Sequence, residues 1–300
     1  MTTVVALGGN ALLRARDRGT AAEQRLRIRE TCAALSPLLE DEVVLTHGNG
    51  PQVGNVLLRQ ERAAAEVPPL PLYLAVAQTQ AEIGALIATE LAAEGRRAAC
   101  LLTHVVVAAD DPAFENPSKP VGPFYKRSRA RALQQERGWS MAEDSGRGWR
   151  RTVASPAPLE VVELEGVRAL LQTGVTPVAC GGGGIPVVRR DGRLEGVDAV
   201  VDKDRASALL AVALGAERLV ILTDVPALLR GFGTAREEPI RALSSAEAER
   251  LLPELPAGSM GPKVEASVAF VRETGGEALI TAAESLADAL AGEAGTLVTR

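Results

Sequence analysis

The chain has 300 residues, a length that exceeds the usual single compact domain and predicts two lobes or one large α/β unit. Its 33 basic and 38 acidic residues give a net charge of −5, which argues against general affinity for nucleic acid or anionic membranes, because both need a sizeable positive field. No basic N-terminal segment and no apolar stretch of about 20 residues is present, so we expect a cytoplasmic protein with small-molecule partners.

Short apolar runs that end in turn residues recur along the chain and alternate with helical patterns. The runs are 4–7, 43–46, 98–103, 177–180, 219–223 and 278–281. In residues 78–94, Ile83, Ile87 and Leu91 share one helical face, and residues 206–213 follow the same spacing. Strands that are apolar on both faces and alternate with amphipathic helices indicate an α/β fold with a mainly parallel sheet covered by helices.

Two stretches depart from this alternation. Asp191-Gly192 lies between two possible strands, 187–193 and 194–201, and is typical of a hairpin turn that adds antiparallel strands. Residues 113–158 contain both tryptophans, several prolines and an excess of basic residues, and we interpret them as an insertion. An aromatic and basic segment can bind single-stranded nucleic acid, but the acidic remainder of the chain favours a small subdomain or lid that closes over a site.

Three glycine-rich turns directly follow predicted strands. They are Gly8-Gly9-Asn10, His47-Gly48-Asn49-Gly50 and Cys180-Gly181-Gly182-Gly183-Gly184. Such turns meet at the carboxyl edge of a parallel sheet, where a phosphate can approach bare backbone N–H groups at a helix start. Each turn alone is explained equally well by the positive φ angles that glycine tolerates. The chain contains neither GxxxxGK[ST] nor GxGxxG, so P-loop and Rossmann sites are disfavoured.

Only four of the 33 basic residues are lysines, namely Lys119, Lys126, Lys203 and Lys263. A chain that otherwise uses arginine keeps lysine where a compact ammonium is needed, although Lys126, in a basic, loop-like setting, needs no such role. Asp204 follows Lys203 at a predicted helix start, where it either caps the helix or holds the ammonium beside a phosphoryl group. Lys263 also begins a predicted helix after a glycine turn. Positioned cations and N–H groups, with Mg²⁺, are what phosphoryl transfer requires.

Seven motifs together resemble the carbamate kinase family over nearly the whole chain. They are VALGGN (5–10), THGNGPQVGN (46–55), NPSKPVGPFY (116–125), GWRR (148–151), ACGGGGIPV (179–187), VDKD (201–204) and GSMGPK (258–263). The resemblance implies a three-layer α/β/α sandwich, the amino acid kinase fold, as a single domain over residues 1–300. It implies an acceptor lobe (1–175) with a small protruding subdomain at about 113–158, a nucleotide lobe (176–300) and a homodimer.

The resemblance further implies reversible phosphate transfer between ATP and carbamate with Mg²⁺. The cellular direction would be ATP synthesis from carbamoyl phosphate and ADP, in arginine or purine-derived nitrogen catabolism. Lys203 and Lys263 would flank the transferring phosphoryl group, and Asp204 would organise them. Many members of the wider superfamily place a lysine before the first glycine pair, where this chain has Ala6-Leu7. Lys119 would replace that lysine from the insertion, which favours the carbamate branch.

The same resemblance assigns the binding residues. The carbamoyl phosphate end would be held by Gly8, Gly9, Asn10, Gly48, Asn49 and Gly50. The nucleotide would lie against Gly182, Gly183, Thr223, Asp224, Phe232, Met260 and Lys263. No residue is assigned as a metal ligand, and three separated cysteines with two histidines disfavour a structural zinc site.

Two alternatives remain open. The acceptor could be another small carboxylate or phosphate, such as acetylglutamate or isopentenyl phosphate, but these need a roomier pocket than a segment bearing Lys119 suggests. A catalytically silent relative that senses nucleotide would have lost Lys203, Asp204 or Lys263, and all three are present.

Overall fold

The computed structural model describes residues 1–9, 12–13, 17–39, 41–144, 146–234, 236–256 and 258–300. Within them lie 17 strands and nine α-helices. The strands are β1 (Thr2–Leu7), β2 (Glu42–His47), β3 (Ala98–Cys100), β4 (His104–Val107), β5 (Lys119–Tyr125), β6 (Ser140–Glu143), β7 (Trp149–Val153), β8 (Pro158–Val161), β9 (Thr176–Val178), β10 (Ile185–Arg190), β11 (Arg193–Gly196), β12 (Arg218–Thr223), β13 (Leu228–Arg230), β14 (Glu238–Ile240), β15 (Ala242–Ser244), β16 (Glu277–Ala282) and β17 (Thr296–Thr299).

The helices are α1 (Ala21–Ala34), α2 (Gly50–Ala63), α3 (Leu72–Ala93), α4 (Arg127–Arg137), α5 (Leu164–Gln172), α6 (Lys203–Leu214), α7 (Ser245–Leu251), α8 (Met260–Thr274) and α9 (Leu286–Leu290). Short 3-10 turns lie between several of them. None of the described helices is long and apolar enough to span a bilayer.

The largest sheet has eight strands in the order β15-β17-β16-β12-β1-β2-β9-β3. The six strands from β16 to β3 are parallel to one another, and each coincides with one of the six apolar runs read from the sequence, although β3 and β9 end before their runs do. β17 runs antiparallel to β16, and β15 runs parallel to β17. The predicted α/β fold with a mainly parallel central sheet is confirmed.

The alternation of side chains along β1 explains the three layers. Val4 and Ala6 belong to one core cluster together with apolar residues of α6 and α8. Val5 and Leu7 belong to another, with apolar residues of α1 and α3. A strand that is buried on both faces must be apolar throughout, which is the pattern the sequence shows for this strand.

A second sheet has four strands in the order β11-β10-β4-β8. β10 and β11 pair antiparallel, and Asp191 and Gly192 connect them with φ angles of 49° and 75°. Positive φ at both central residues is what a type I′ hairpin turn requires. The predicted hairpin is confirmed, although its second strand ends at Gly196 because the chain then turns toward α6.

The insertion contains a three-stranded antiparallel sheet, β5-β7-β6, together with α4. A small cluster of buried apolar residues, Ala130, Leu133 and Met141, holds α4 against this sheet. β5 lies against α2 of the main body. The segment therefore has its own small core and meets the main body at α2, the helix that follows β2.

Candidate active site

The glycine-rich turns after β2 and β9 contact each other at the carboxyl edge of the large sheet. Gly48 N donates to Leu7 O at 3.1 Å, and Asn49 Nδ2 donates to Thr79 Oγ1 at 2.9 Å. Gly182 has a φ of 66°, and a Cβ added there would lie 2.2 Å from Asn49 Nδ2. Only glycine fits at position 182 without moving Asn49.

A cavity of about 310 Å³ opens at this edge. Its wall includes Gly9, Gly48, Asn49, Gly50, Lys119, Gly182, Asp202, Lys203, Asp204 and Lys263. α2 begins at Gly50, and its N-cap Asn49 makes no side-chain cap hydrogen bond, so the first backbone amides of the helix remain available to a ligand. A Cβ at Gly9 or Gly50 would meet no heavy atom within 4 Å. The cavity can therefore bring an anion close to bare backbone.

Two lysines converge on one carboxylate in this cavity. Lys203 Nζ donates to Asp204 Oδ1 at 2.5 Å, and Lys263 Nζ donates to Asp204 Oδ2 at 3.2 Å. The side chains of Lys203, Asp204 and Lys263 are 13%, 4% and 14% exposed. Burial lowers the pKa of Lys203, and Asp204 opposes that effect by stabilising the ammonium. The arrangement fixes two positive charges in a largely dry site, where they act strongly on an added phosphoryl group.

Lys119 reaches the same cavity from β5 of the insertion. Its Nζ donates to Asp202 Oδ2 at 2.7 Å, while Asp202 Oδ1 accepts from Asp204 N at 2.9 Å. Asp202, not Asp204, is thus the N-cap of α6, which corrects the alternative considered for Asp204. Burial opposes ionisation of Asp202, but Lys119, Lys203 and the backbone N–H of Asp204 together outweigh it and lower the pKa of Asp202 to about 2.

His47 was not singled out by the sequence reasoning, although it directly precedes Gly48. The ring is buried, and its Nδ1 lies 2.9 Å from Gly48 O. Burial lowers the pKa of His47 to about 4, so the ring is neutral and Nδ1–H donates to the carbonyl. A Cβ at Gly181 would lie 2.4 Å from His47 Nε2. His47 therefore packs against the turns after β2 and β9.

Two buried hydroxyl groups also support the lysine-bearing helices. Ser207 Oγ donates to Lys203 O at 2.6 Å and lies 2.6 Å from Thr46 Oγ1 of β2. Ser267 Oγ donates to Lys263 O at 2.8 Å. Each serine lies four residues after its lysine, a spacing that is visible in the sequence.

The remaining residues assigned from the sequence lie outside the cavity wall. Gly8 is buried where a Cβ would be 2.6 Å from Leu222 O, and a Cβ at Gly183 would be 2.1 Å from Val201 O. The others are Thr223, which ends β12, Asp224, Phe232, which is 66% exposed, and Met260, which begins α8. Gly182 lies in the cavity wall beside Asn49. Asn10 lies outside the described residues, and the nucleotide assignments stay predictions.

Mg²⁺ at this site would be held mainly by the phosphates of a nucleotide, because the nearby carboxylates are already engaged. Among the described residues, no group of three or more His, Cys, Asp or Glu side chains is placed to hold a metal ion. Both oxygens of Asp204 accept hydrogen bonds from lysines, and Asp202 is occupied by Lys119 and by the start of α6. Mg²⁺ is commonly held by substrate phosphates and water, and in this site those ligands would come with the nucleotide.

Comparison with known proteins agrees with this geometry. The amino acid kinase family matches residues 1–282. The chain is 43% identical to a carbamate kinase of Trichomonas vaginalis, with 99% of both chains covered, and 44% identical to that of Halobacterium salinarum, with 99% of this chain and 97% of the relative covered. The solved structure of a carbamate kinase from Giardia lamblia bound to AMP-PNP superposes with a TM-score of 0.92 at 37% identity, covering 99% of this chain and 98% of that one. The chain belongs to the amino acid kinase family and, within it, to the carbamate kinases.

Proposed function

We propose that the chain catalyses reversible phosphoryl transfer between ATP and carbamate, and that in the cell it forms ATP from carbamoyl phosphate and ADP. The observation that carries this proposal is the convergence of Lys203 and Lys263 on Asp204, inside a small cavity that is also lined by Lys119 and by glycine backbone. Relatives named carbamate kinases, similar over nearly the full chain, support the choice of acceptor.

In the ATP-forming direction, the bond between phosphorus and the carbamoyl oxygen breaks while an oxygen of the β-phosphate of ADP forms the new bond. Carbamate leaves with the bonding electron pair. The transferring group carries its negative charge on three oxygens, and catalysis consists mainly of positioning and of neutralising that charge. Lys203 and Lys263 supply two fixed cations, and the amides at the start of α2 supply donors for the acceptor end. Bound Mg²⁺ supplies further neutralisation of the nucleotide phosphates.

Asp204 keeps this arrangement ready before substrate binds. Two ammonium groups that approach each other repel, and a carboxylate between them offsets the repulsion. Because Asp204 is nearly buried and its amide is held by Asp202, its orientation does not depend on the substrate. The site therefore needs little reorganisation when the phosphoryl group arrives.

The test is direct. Purified protein is incubated with carbamoyl phosphate, ADP and Mg²⁺, and ATP is measured by luminescence. Saturable ATP formation that requires all three components is the expected result, with Lys203→Ala as the inactive control. Failure to form ATP would overturn the proposal. The same assay run in reverse with acetylglutamate or isopentenyl phosphate in place of carbamate separates the alternative acceptors.

We also propose that the protein is a cytoplasmic homodimer that serves arginine or purine-derived nitrogen catabolism, as the family resemblance implies. Light scattering during gel filtration checks the assembly, and a mass twice the 31.3 kDa of the chain is expected. A monomer at micromolar concentration would contradict it.

A further inference from the structure

A second cavity, of about 200 Å³, lies between α2 and the small sheet of the insertion. Its wall includes the apolar side chains Leu57 and Val121, the ring of Trp139, and the guanidinium-bearing residues Arg137 and Arg151. Val121 of β5 also lines the cavity of about 310 Å³ that contains Lys203 and Lys263, called the catalytic cavity below. The two cavities are therefore neighbours that share one strand.

Arg151 comes from the GWRR motif, which the phosphoryl-transfer site does not use. Arg150 and Arg151 are successive residues of β7, so their side chains leave opposite faces of the strand. Arg150 is bound, because its Nε donates to Gly122 O at 3.0 Å and its Nη1 to Asp144 Oδ2 at 3.0 Å. The side chain of Arg151, on the cavity side, forms no hydrogen bond or salt bridge with any residue that the structure describes.

Two arginines contact one aromatic ring in this cavity. The guanidinium carbon of Arg151 lies 4.7 Å from the centroid of Trp139, and that of Arg137 lies 4.9 Å from it. The side chain of Arg137 likewise forms no hydrogen bond with the described residues. Burial lowers the pKa of Arg151, and the positive charge of Arg137 adds to this effect, while Asp198 opposes it. Two like charges thus lie against one ring, and their guanidinium N–H donors have no hydrogen-bond acceptor among the described residues.

The acidic residues of the same cavity are already engaged elsewhere. Glu61 accepts a hydrogen bond from the hydroxyl of Tyr125 at 2.5 Å and lies 3.7 Å from Arg129. Asp198 Oδ1 accepts from the backbone N–H of Leu72 at 2.8 Å, at the start of α3. The carboxylates have protein donors, and the two guanidinium groups have no anionic hydrogen-bond partner among the described residues.

We propose that this cavity binds a small aliphatic carboxylate, whose oxygens accept hydrogen bonds from Arg137 and Arg151 and whose short chain lies against Leu57 and Val121. A planar carboxylate matches the geometry of a guanidinium fork. The volume admits a small ligand only, and the apolar wall favours a hydrocarbon tail over a second charged group. Bound carboxylate braces β5 against α2, and β5 carries Lys119, so occupancy changes the apparent affinity of the catalytic cavity. This coupling rests on the proposed function, whereas the binding itself does not.

The binding test uses Trp139 as its reporter. The chain has two tryptophans, so Trp149→Phe leaves Trp139 as the only indole. Propionate titrated into this variant without nucleotide is expected to change its fluorescence saturably. Adding Arg151→Gln or Arg137→Gln is expected to weaken binding at least tenfold, while Arg147→Gln, a more exposed cation of the same subdomain, leaves it unchanged. Circular dichroism establishes that each variant is folded, and the two arginine variants serve as independent tests.

Two further arms distinguish the source of the signal. Lys203→Ala removes a cation of the catalytic cavity and is expected to leave propionate binding intact, and loss of the signal there would move the site to the catalytic cavity. Inorganic phosphate is titrated in parallel, and tighter, Arg151-dependent binding of phosphate than of propionate would overturn the ligand class. A propionate signal that Arg151→Gln and Arg137→Gln do not weaken, or no signal at all, overturns the site.

The coupling is measured separately with the ATP-forming assay. Saturating propionate is expected to change the KM for carbamoyl phosphate about fivefold in the unmodified chain and not in Arg151→Gln. Propionate binding without a change in KM would overturn the coupling, but it would not overturn the proposed binding site. Absence of any ATP formation concerns the proposed function alone, because the fluorescence test does not depend on turnover.

Discussion

Asp204 shows how one side chain can decide the electrostatics of a site. Its two oxygens accept hydrogen bonds from Lys203 and Lys263, which lie 60 residues apart in the sequence and on different helices. The scarcity of lysine in the chain pointed to both cations, since arginine replaces lysine almost everywhere else. Their shared partner became visible only when α6 and α8 were placed side by side.

Neutralising either lysine is expected to be costly for catalysis. Lys203→Ala and Lys263→Ala should each lower kcat roughly 10²-fold or more, because each removes a donor that acts on charge in the transition state. Lys126→Arg is the matched control and should retain full turnover, since Lys126 lies outside the cavity wall. Steady-state ATP formation measures all three variants. Equal, small effects at the three positions would contradict the assigned roles.

His47 is expected to make stability depend on pH. Its pKa is lowered to about 4 in the folded protein by burial, against 6.5 for the free side chain. Between pH 6.5 and pH 4 the unfolded chain is therefore protonated at His47 while the folded protein is not. The stability that is present above pH 6.5 is lost as the pH falls toward 4. From pH 7.5 to 5, His47 should cost about 2 kcal/mol of unfolding free energy.

Urea unfolding of the unmodified chain and of His47→Gln at both pH values gives the measurement. The two proteins should differ in slope, with the variant losing less stability on acidification. Parallel slopes would show that His47 does not carry the depressed pKa.

At the scale of elements, the start of α6 joins helix capping to the contact with Lys119. Asp202 caps the helix through Asp204 N and Arg205 N and also binds Lys119 of β5. The sequence located this helix start correctly, and it left Asp204 either as a cap or as the residue that holds the ammonium. The sequence does not distinguish an aspartate just before a helix from one inside its first turn. Both are acidic residues near the positive end of the helix dipole.

Asp202→Ala is expected to destabilise the protein by about 1 kcal/mol through loss of the cap, whereas Asp202→Asn should keep the cap because an amide oxygen also accepts from helix N–H groups. Both variants lose the ion pair with Lys119 and should raise the KM for carbamoyl phosphate. Chemical denaturation and steady-state kinetics separate the two effects. Equal loss of stability in both variants would argue against the capping role.

The glycine turns offer a matched pair of substitutions. Gly182→Ala is expected to reduce both stability and activity, because the new Cβ would meet Asn49 and the φ of 66° strains an alanine. Gly50→Ala has open space and should fold as well as the original chain, while its methyl group enters the catalytic cavity and raises the KM. Thermal unfolding together with kinetics tests both, and a stable, active Gly182→Ala would refute the packing argument.

At the scale of the whole molecule, Lys119 links the insertion to the body of the protein. Its ion pair with Asp202 is about one-third exposed at the lysine, so its net contribution to stability is small. Lys119→Met should therefore leave the unfolding temperature within a few degrees and still lower kcat/KM for carbamoyl phosphate at least tenfold. Lys126→Met, also in the insertion, is the control. A large fall in stability with unchanged kinetics would assign Lys119 a purely structural role.

The sequence by itself determined the central sheet, its helices, the β10–β11 hairpin and the lysines. Each of these depends on local periodicity, on turn residues or on the choice of one residue type over another. Such signals involve residues that are close together in the sequence. The tertiary structure alone decided that Asp202 caps α6, that His47 supports two turns, and that Gly8 and Gly183 fill tight contacts outside the cavity wall. It also placed Arg151 in a second cavity. These features depend on distances between segments far apart in the chain, which are set by how strands stack and helices pack.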